Sequence, residues 1–217
     1  MTPATEAFLE RNQLSENYLH FAQRWFEPVL EQFAQQYQSQ KRPQILGING
    51  SQGSGKSTLA DYLCSIIAER HGVTAVNLSL DDFYLTHDQR AQLAETVHPL
   101  LGTRGVPGTH DVDLAIQTIE QLVAGSECRI PRFDKSVDDR VPKAEFDSIE
   151  GPAGLIILEG WCLGALPQAQ TDLREPINDL ERLEDPEGIW REYINTALGG
   201  SYQQLFAMVD QLIMLKA

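Results

Sequence analysis

Gln44-Ile45-Leu46-Gly47-Ile48-Asn49 runs directly into Gly50-Ser51-Gln52-Gly53-Ser54-Gly55-Lys56-Ser57, and this stretch decides how the chain is read. Its first half is apolar without polar alternation, which predicts a strand covered on both faces. Its second half satisfies GxxxxGK[ST] without a mismatch. Glycines let successive backbone N–H groups turn toward one centre and form an anion nest, and the following helix adds its positive N-terminal end. In such a loop Gly50, Ser51, Gln52, Gly53, Ser54 and Gly55 cradle the phosphates of a nucleotide. Lys56 would reach the β- and γ-phosphates, and the Ser57 hydroxyl would bind Mg²⁺. Thr58 has two readings, a contact to the α-phosphate or a first-turn helix residue. Gly47 and Asn49 lie just before the loop, so close backbone approach is expected to begin there. A glycine-rich turn can match the pattern by chance, but this one lies between a buried strand and an amphipathic helix.

Downstream, Lys56 to Arg70 has helical periodicity, with Leu59, Leu63, Ile66 and Ile67 inward and Gly72 as its stop. Val73 to Leu80 predicts a second strand. Thr86-x-x-Gln89 has the form of a capping box opening a helix to Thr96. Val97 to Thr109 is rich in glycine and proline and predicts a loop. Asp111 can cap a helix carrying Leu114, Ile116, Ile119, Leu122 and Val123 that Gly125 stops. Cys128-Arg129-Ile130 predicts a short strand, Pro131 to Pro152 a polar loop, and Leu155 to Leu158 a third buried strand. An acidic helical stretch, Asp172 to Leu198, precedes a last helix and the apolar run Val209 to Leu215.

Upstream, residues 5–40 predict two helices. Leu14, Tyr18, Leu19, Ala22 and Phe26 share a face of the first, and Pro28 opens the second, with Val29, Leu30, Phe33, Ala34 and Tyr37. Gln36 to Arg42 reads as a connector. Strands separated by helices predict an α/β, three-layer P-loop NTPase fold, a mostly parallel sheet with helices on both faces. The expected organisation is an N-terminal helical extension over 1–42 and a P-loop domain over 43–217.

The 217 residues suit one large domain. Lys and Arg total 17 against 31 Asp and Glu, a net charge of −14, which excludes a generic nucleic-acid binder and offers nothing to anionic lipid. The longest apolar stretch, Ala153 to Leu158, is far below the roughly 20 residues of a membrane span. The first residues carry acids where a signal peptide would be basic. Cys64, Cys128 and Cys162 are scattered and odd in number, which predicts buried thiols in a reducing cytoplasm rather than zinc ligands or disulfides. His20, His71 and His87 lack a partner pattern and read as surface or satisfied polar residues.

Ligands of open parallel sheets sit beyond the carboxyl ends of the strands. Two such ends carry acids, Asp81-Asp82-Phe83-Tyr84 after Leu80 and Glu159-Gly160-Trp161 after Leu158. A hydroxyl being phosphorylated needs an orienting acceptor and Mg²⁺ wants oxygen ligands, so these acids are candidates for both roles, with turn capping as the alternative.

The loop followed by Ser79-Leu80-Asp81-Asp82-Phe83-Tyr84 resembles the phosphoribulokinase/uridine kinase-like P-loop kinases. Asp81 to Thr86, then Arg104-Gly105-Val106-Pro107-Gly108-Thr109-His110-Asp111, then Pro131-Arg132-Phe133-Asp134-Lys135-Ser136, then Leu158 to Trp161, are similar to the D-glycerate 3-kinase group. The resemblance runs from about Gln44 to Ala217. It implies an ATP- and Mg²⁺-dependent kinase with a small acceptor, D-glycerate foremost. Asp81 is then the general base, Glu159 with Ser57 the Mg²⁺ side, and Asp82 an auxiliary. Arg holds a carboxylate bidentately, so Arg104, Arg132 and Lys135 are candidates for the acceptor pocket, with His110 and Asp134 able to bind hydroxyls. Asp111 reads as a helix cap, and Arg140 and Lys143 as loop charges. Six of the 17 bases fall between Arg104 and Lys143, so local potential rather than net charge would steer anions.

Similar kinases continue past the strand matching Val209 to Leu215, which leaves two readings of the segment 43–217: a naturally short kinase domain, or one that lacks a C-terminal part. Two other readings stay open: a kinase of the same superfamily for a nucleoside or pantothenate, and a nucleotide-binding protein without transfer activity. No Asn-Lys-x-Asp motif points to a GTPase.

Overall fold

The computed structural model describes residues 2–216; Met1 and Ala217, the outer ends of the two expected segments, lie outside them. In chain order the elements begin with α1 (Pro3–Asn12), α2 (Asn17–Trp25), α3 (Glu27–Gln40), β1 (Gln44–Gly50), α4 (Lys56–His71) and β2 (Ala75–Ser79). The middle holds α5 (His87–Thr96), α6 (Val112–Ala124), β3 (Cys128–Ile130), β4 (Phe133–Asp134), β5 (Asp139–Arg140), β6 (Asp147–Ile149) and β7 (Leu155–Gly160). Last come α7 (Asp179–Glu184), α8 (Ile189–Gly199), α9 (Ser201–Ala207) and β8 (Gln211–Leu215).

The central sheet has the order β2-β7-β1-β8, with every pairing parallel. Alternate residues of the buried strands feed two separate cores. Leu46, Ile48, Leu155 and Ile157 pack under α1 to α4, whereas Ile45, Ile156 and Leu158 pack under α6 and α9. This explains the absence of polar alternation: both faces are covered, so both parities are apolar. Each fully buried Ile or Leu contributes about 1.5–3 kcal/mol, so the double-sided pattern carries much of the stability. The three-layer α/β reading holds.

Local signals placed several boundaries correctly. Thr86 and Gln89 form a reciprocal capping box on α5, Asp111 accepts from the Leu114 N–H to cap α6, and Gly72 and Gly125 end their helices in the left-handed region. Other expectations are corrected. The two helices expected over residues 5–40 are three: α1 starts at Pro3 behind a capping box on Thr2 and ends where Gln13 turns left-handed, leaving Leu14 in the break. No glycine or proline marks that stop. Val73 to Leu80 forms a strand only over Ala75–Ser79, and Leu80 opens a 3₁₀ turn. The polar loop expected over Pro131 to Pro152 holds the antiparallel β4–β5 ribbon and β6, which pairs antiparallel with β3, so Cys128–Ile130 lies outside the main sheet. The acidic helical stretch divides into α7 and α8 around Pro186 and Gly188, and Val123 faces outward. Arg140, expected as a loop charge, is mostly buried and donates to the Tyr84 carbonyl and Asp111.

Along one edge of the sheet the strand ends line up. Ile48 of β1 is in register with Glu159 of β7, and Ser79 of β2 with the same Glu159. The loops after β1, β2 and β7 therefore meet at one place. No helix among the described residues is long and apolar enough to cross a membrane.

Candidate functional site

The meeting of these loops forms a cleft of ≈ 1020 Å³. One wall is the loop after β1, lining it through Ser51, Gln52, Gly53, Lys56 and Ser57. Gly53 (φ 79) and Gly55 (φ 89) are left-handed, and nothing lies within 4 Å of where a Cβ would stand, so backbone conformation rather than crowding calls for glycine at both. Gly50 is needed for closeness instead, since a Cβ there would meet Ser54 Oγ at 2.4 Å. α4 begins at Lys56 with no side-chain cap, which leaves its first N–H groups available to an anion. Lys56 Nζ donates to the Ser51 carbonyl at 3.0 Å. Thr58 is half-buried and does not line the cleft, so of its two readings the helix-turn one fits its place. Gly47 is corrected too: its missing Cβ faces Leu212, Leu163 and Val209 at 2.8–2.9 Å, a demand of the apolar layer rather than of a ligand.

Ser57 Oγ donates to Glu159 Oε1 at 2.8 Å across the first turn of α4 and the end of β7. Both line the cleft, although Glu159 is largely buried. A hydroxyl and a carboxylate side by side suit Mg²⁺, which takes oxygen donors and keeps most of its ligands from water and substrate phosphates. Two protein oxygens leave the other positions of such an ion to water and phosphate, so the pair fits an ion carried in with a nucleotide. Asn49 Nδ2 donates to the Trp161 and Leu163 carbonyls at 3.1 and 2.6 Å, pinning the chain after Glu159 to β1. Trp161 Nε1 in turn donates to the Gly105 carbonyl at 3.0 Å.

Asp81 sits in the 3₁₀ turn Leu80–Phe83 after β2. Its Oδ1 accepts from Tyr84 Oη at 3.2 Å, and its Oδ2 pairs with Lys135 Nζ at 2.6 Å. Burial, and then the nearby Asp81 charge, push the Tyr84 phenol far up, so it stays a donor. Asp82 turns away: it pairs with Arg132 Nη1 at 2.8 Å and accepts from the Phe133 N–H at 3.2 Å. Burial raises the Asp82 carboxyl above its usual range although Arg132 opposes the shift.

The expected acceptor residues divide. Arg104 and Lys135 line the cleft with Asp81. Arg132 does not; its donors go to Asp82 and Asp147. Asp134 accepts from Ser136 N–H and Oγ within its own hairpin, outside the cleft lining. His110 is buried behind the wall: its ring stacks on Tyr84 at 4.3 Å and its Nδ1 meets Tyr202 Oη at 2.6 Å. Burial pushes the His110 imidazole from 6.5 to about 4, so it is neutral near pH 7. Sequence reasoning missed Tyr84, Trp161, Asn77 and Ser79 as lining residues. Tyr84 and Trp161 stood inside motifs already singled out, and Asn77, a polar residue in an apolar strand, was a signal of its own.

This chain is similar to known proteins over most of its length. The profile of the Phosphoribulokinase / Uridine kinase family matches residues 45–166. The uncharacterized kinase mug58 of Schizosaccharomyces pombe is 36% identical over 202 residues, covering 88% of this chain and 71% of that protein. The chloroplastic D-glycerate 3-kinase of Arabidopsis thaliana is 30% identical over 187 residues, covering 80% of this chain and 38% of that one. This chain therefore spans well under half the length of the plant enzyme. Among solved structures, D-glycerate 3-kinase from Cryptococcus neoformans superposes with a TM-score of 0.72 at 27% identity, covering 85% of this chain and 69% of that one.

Proposed function

The chain belongs to the phosphoribulokinase/uridine kinase family, and from that premise we propose that it transfers the γ-phosphate of ATP to a hydroxyl of a small carboxylate-bearing acceptor, D-glycerate foremost. Kinase chemistry comes with the family; the acceptor and the residue roles are our reading. One observation carries it: the phosphate cradle, the Ser57–Glu159 pair, and Asp81 beside Arg104 and Lys135 share a single cleft. The similarity to two D-glycerate 3-kinases supports the choice of acceptor.

In this reading the cleft-lining loop after β1 and the free N–H groups of α4 bind the phosphates, and the Lys56 ammonium exchanges the Ser51 carbonyl for phosphate oxygen. Ser57 and Glu159 would hold Mg²⁺, which supplies charge neutralisation on the phosphates when bound. Asp81 accepts the proton of the acceptor hydroxyl and Tyr84 fixes the rotamer of its carboxylate. Arg104 and Lys135 give the cleft cationic donors for the carboxylate of the acceptor. Positioning and preorganised charge do most of the work in such transfers.

The test is an acceptor panel followed by ADP release, with D-glycerate, pantothenate and uridine as acceptors. Turnover with D-glycerate, lost in Lys56→Ala and in Asp81→Asn, supports the assignment. Turnover with uridine alone selects a different kinase, and Mg-ATP binding with no acceptor-dependent ADP release leaves a nucleotide-binding protein. A reducing compartment such as the cytoplasm goes with the same reading, because Cys64, Cys128 and Cys162 are unpaired and burial pushes the Cys64 and Cys162 thiols up to about 12. Thiol titration of the unfolded, unreduced protein should find all three free; fewer would contradict this placement.

A further inference from the structure

The β4–β5 hairpin crosses the acceptor side of the cleft, and its turn carries both Lys135 and Asp138. Asp138 is one of few residues other than glycine in the left-handed region, at φ 56. Arg90, fully buried on α5, holds it there: Nη2 donates to the Asp138 carboxylate at 2.6 Å and to its carbonyl at 2.9 Å. The same guanidinium donates to the Leu85 carbonyl at 2.7 Å, so the anchor belongs to the body of the protein. The other oxygen of Asp138 accepts from Arg104 Nη1. Arg104 also lies over the Phe133 ring, 5.6 Å from its centroid.

Arginine presents its N–H donors as a planar fork. Asp138 occupies one end of the Arg104 fork and Phe133 covers its face. Its remaining N–H groups donate to no acceptor among the described residues, while Arg104 lines the cleft. The other candidates lack this arrangement. Arg132 is committed to two carboxylates away from the cleft, and Lys135 is an exposed point charge already on Asp81. A preset fork in the cleft that holds Asp81 suits an oxyanion, and on the acceptor side of the cleft that group is a carboxylate of the acceptor.

We propose that Asp138, fixed by Arg90, is a positioning residue that presents the free edge of Arg104 to the carboxylate of the acceptor. The Arg90–Asp138–Arg104 chain thereby makes the cleft select acids over neutral alcohols. The inference rests on the functional reading above, and goes beyond it by naming which base reads the acid and what aims it.

Asp138→Asn tests it, since Asn tolerates the left-handed conformation and keeps the shape while removing the charge. The readouts are steady-state constants for ATP and D-glycerate, with glycerol as a carboxylate-free acceptor. The expected result is a KM for D-glycerate raised about tenfold, the size of one weakened charge-assisted hydrogen bond, with kcat and the KM for ATP nearly unchanged. Preference for D-glycerate over glycerol should fall by the same factor. Arg104→Lys should raise the same KM, and the double variant should add little to either single one. Should Asp138→Asn lose its melting transition, Asp138→Glu keeps a charge for Arg90 and displaces the carboxylate, and the KM for D-glycerate should again rise alone. An unmoved KM, a joint loss of kcat and ATP affinity, or effects that multiply in the double variant overturn the role of Asp138. Wild-type turnover of uridine with none of D-glycerate overturns the functional reading, and this inference with it.

Discussion

Ser57 and Glu159, 102 residues apart in the chain, are joined by one hydrogen bond of 2.8 Å between the first turn of α4 and the last residues of β7. The bond closes the site because β1 and β7 are neighbours in the sheet, with Ile48 and Glu159 in register.

Glu159→Gln keeps an oxygen that can accept from Ser57 and removes the charge. The fold should survive, while kcat falls about 10²–10³-fold and the Mg²⁺ concentration for half-maximal rate rises. A titration of rate against Mg²⁺ that overlays on the wild type would remove Glu159 from the metal side.

Two glycines should fail in different ways. Gly47→Ala places a methyl group against Leu212, Leu163 and Val209, and such overpacking costs about 1–3 kcal/mol of stability. Its signature is a lower Tm with ATP affinity kept. Gly55→Ala meets no atom but must hold φ 89, so the strain of about 1–2 kcal/mol falls on the loop itself and nucleotide affinity should drop more than Tm. Calorimetry beside ATP titration separates them, and the reverse outcome would contradict the packing assigned to Gly47.

His110 makes stability depend on pH. Its folded pKa, about 4, lies below the ordinary 6.5, so the unfolded chain binds the extra proton between those values. Stability is therefore full above about 6.5 and falls as the pH drops toward about 4, by up to about 3 kcal/mol. Urea unfolding over this range should show the slope in the wild type and a flatter one in His110→Gln; equal slopes would assign the titration to other groups.

The N-terminal helices should matter to the core. Phe33 is fully buried in the same apolar cluster as Leu46, Ile48 and Leu63. Phe33→Ala should lower unfolding free energy by about 3–5 kcal/mol, read by urea denaturation, with kcat of the folded enzyme kept. A loss below about 1 kcal/mol would mark residues 1–42 as a detachable extension.

Much of the site was legible because its signals are local. A phosphate cradle requires glycines at fixed spacing before a helix, and Asp81 and Glu159 stand within two residues of their strand ends. The acceptor side was not legible. Arg104, Arg132, Lys135, His110 and Asp134 all stood in motifs, yet only Arg104 and Lys135 reach the cleft. Whether a charged side chain faces a cleft or a neighbouring carboxylate depends on partners far away in sequence, as Arg132 with Asp82 and Asp147 illustrates.

The sequence by itself determined the α/β layering, the place of the loop after β1 and the two acid-bearing strand ends, because apolar periodicity, caps and glycine conformations act over a few residues. Only the tertiary structure decided that the polar segment 131–152 forms a β4–β5 hairpin whose turn brings Lys135 to the cleft, that Gly47 serves packing, and that Asp138 lies between Arg90 and Arg104. Those outcomes come from long-range pairing, in which each buried charge takes whichever partner the fold brings within reach.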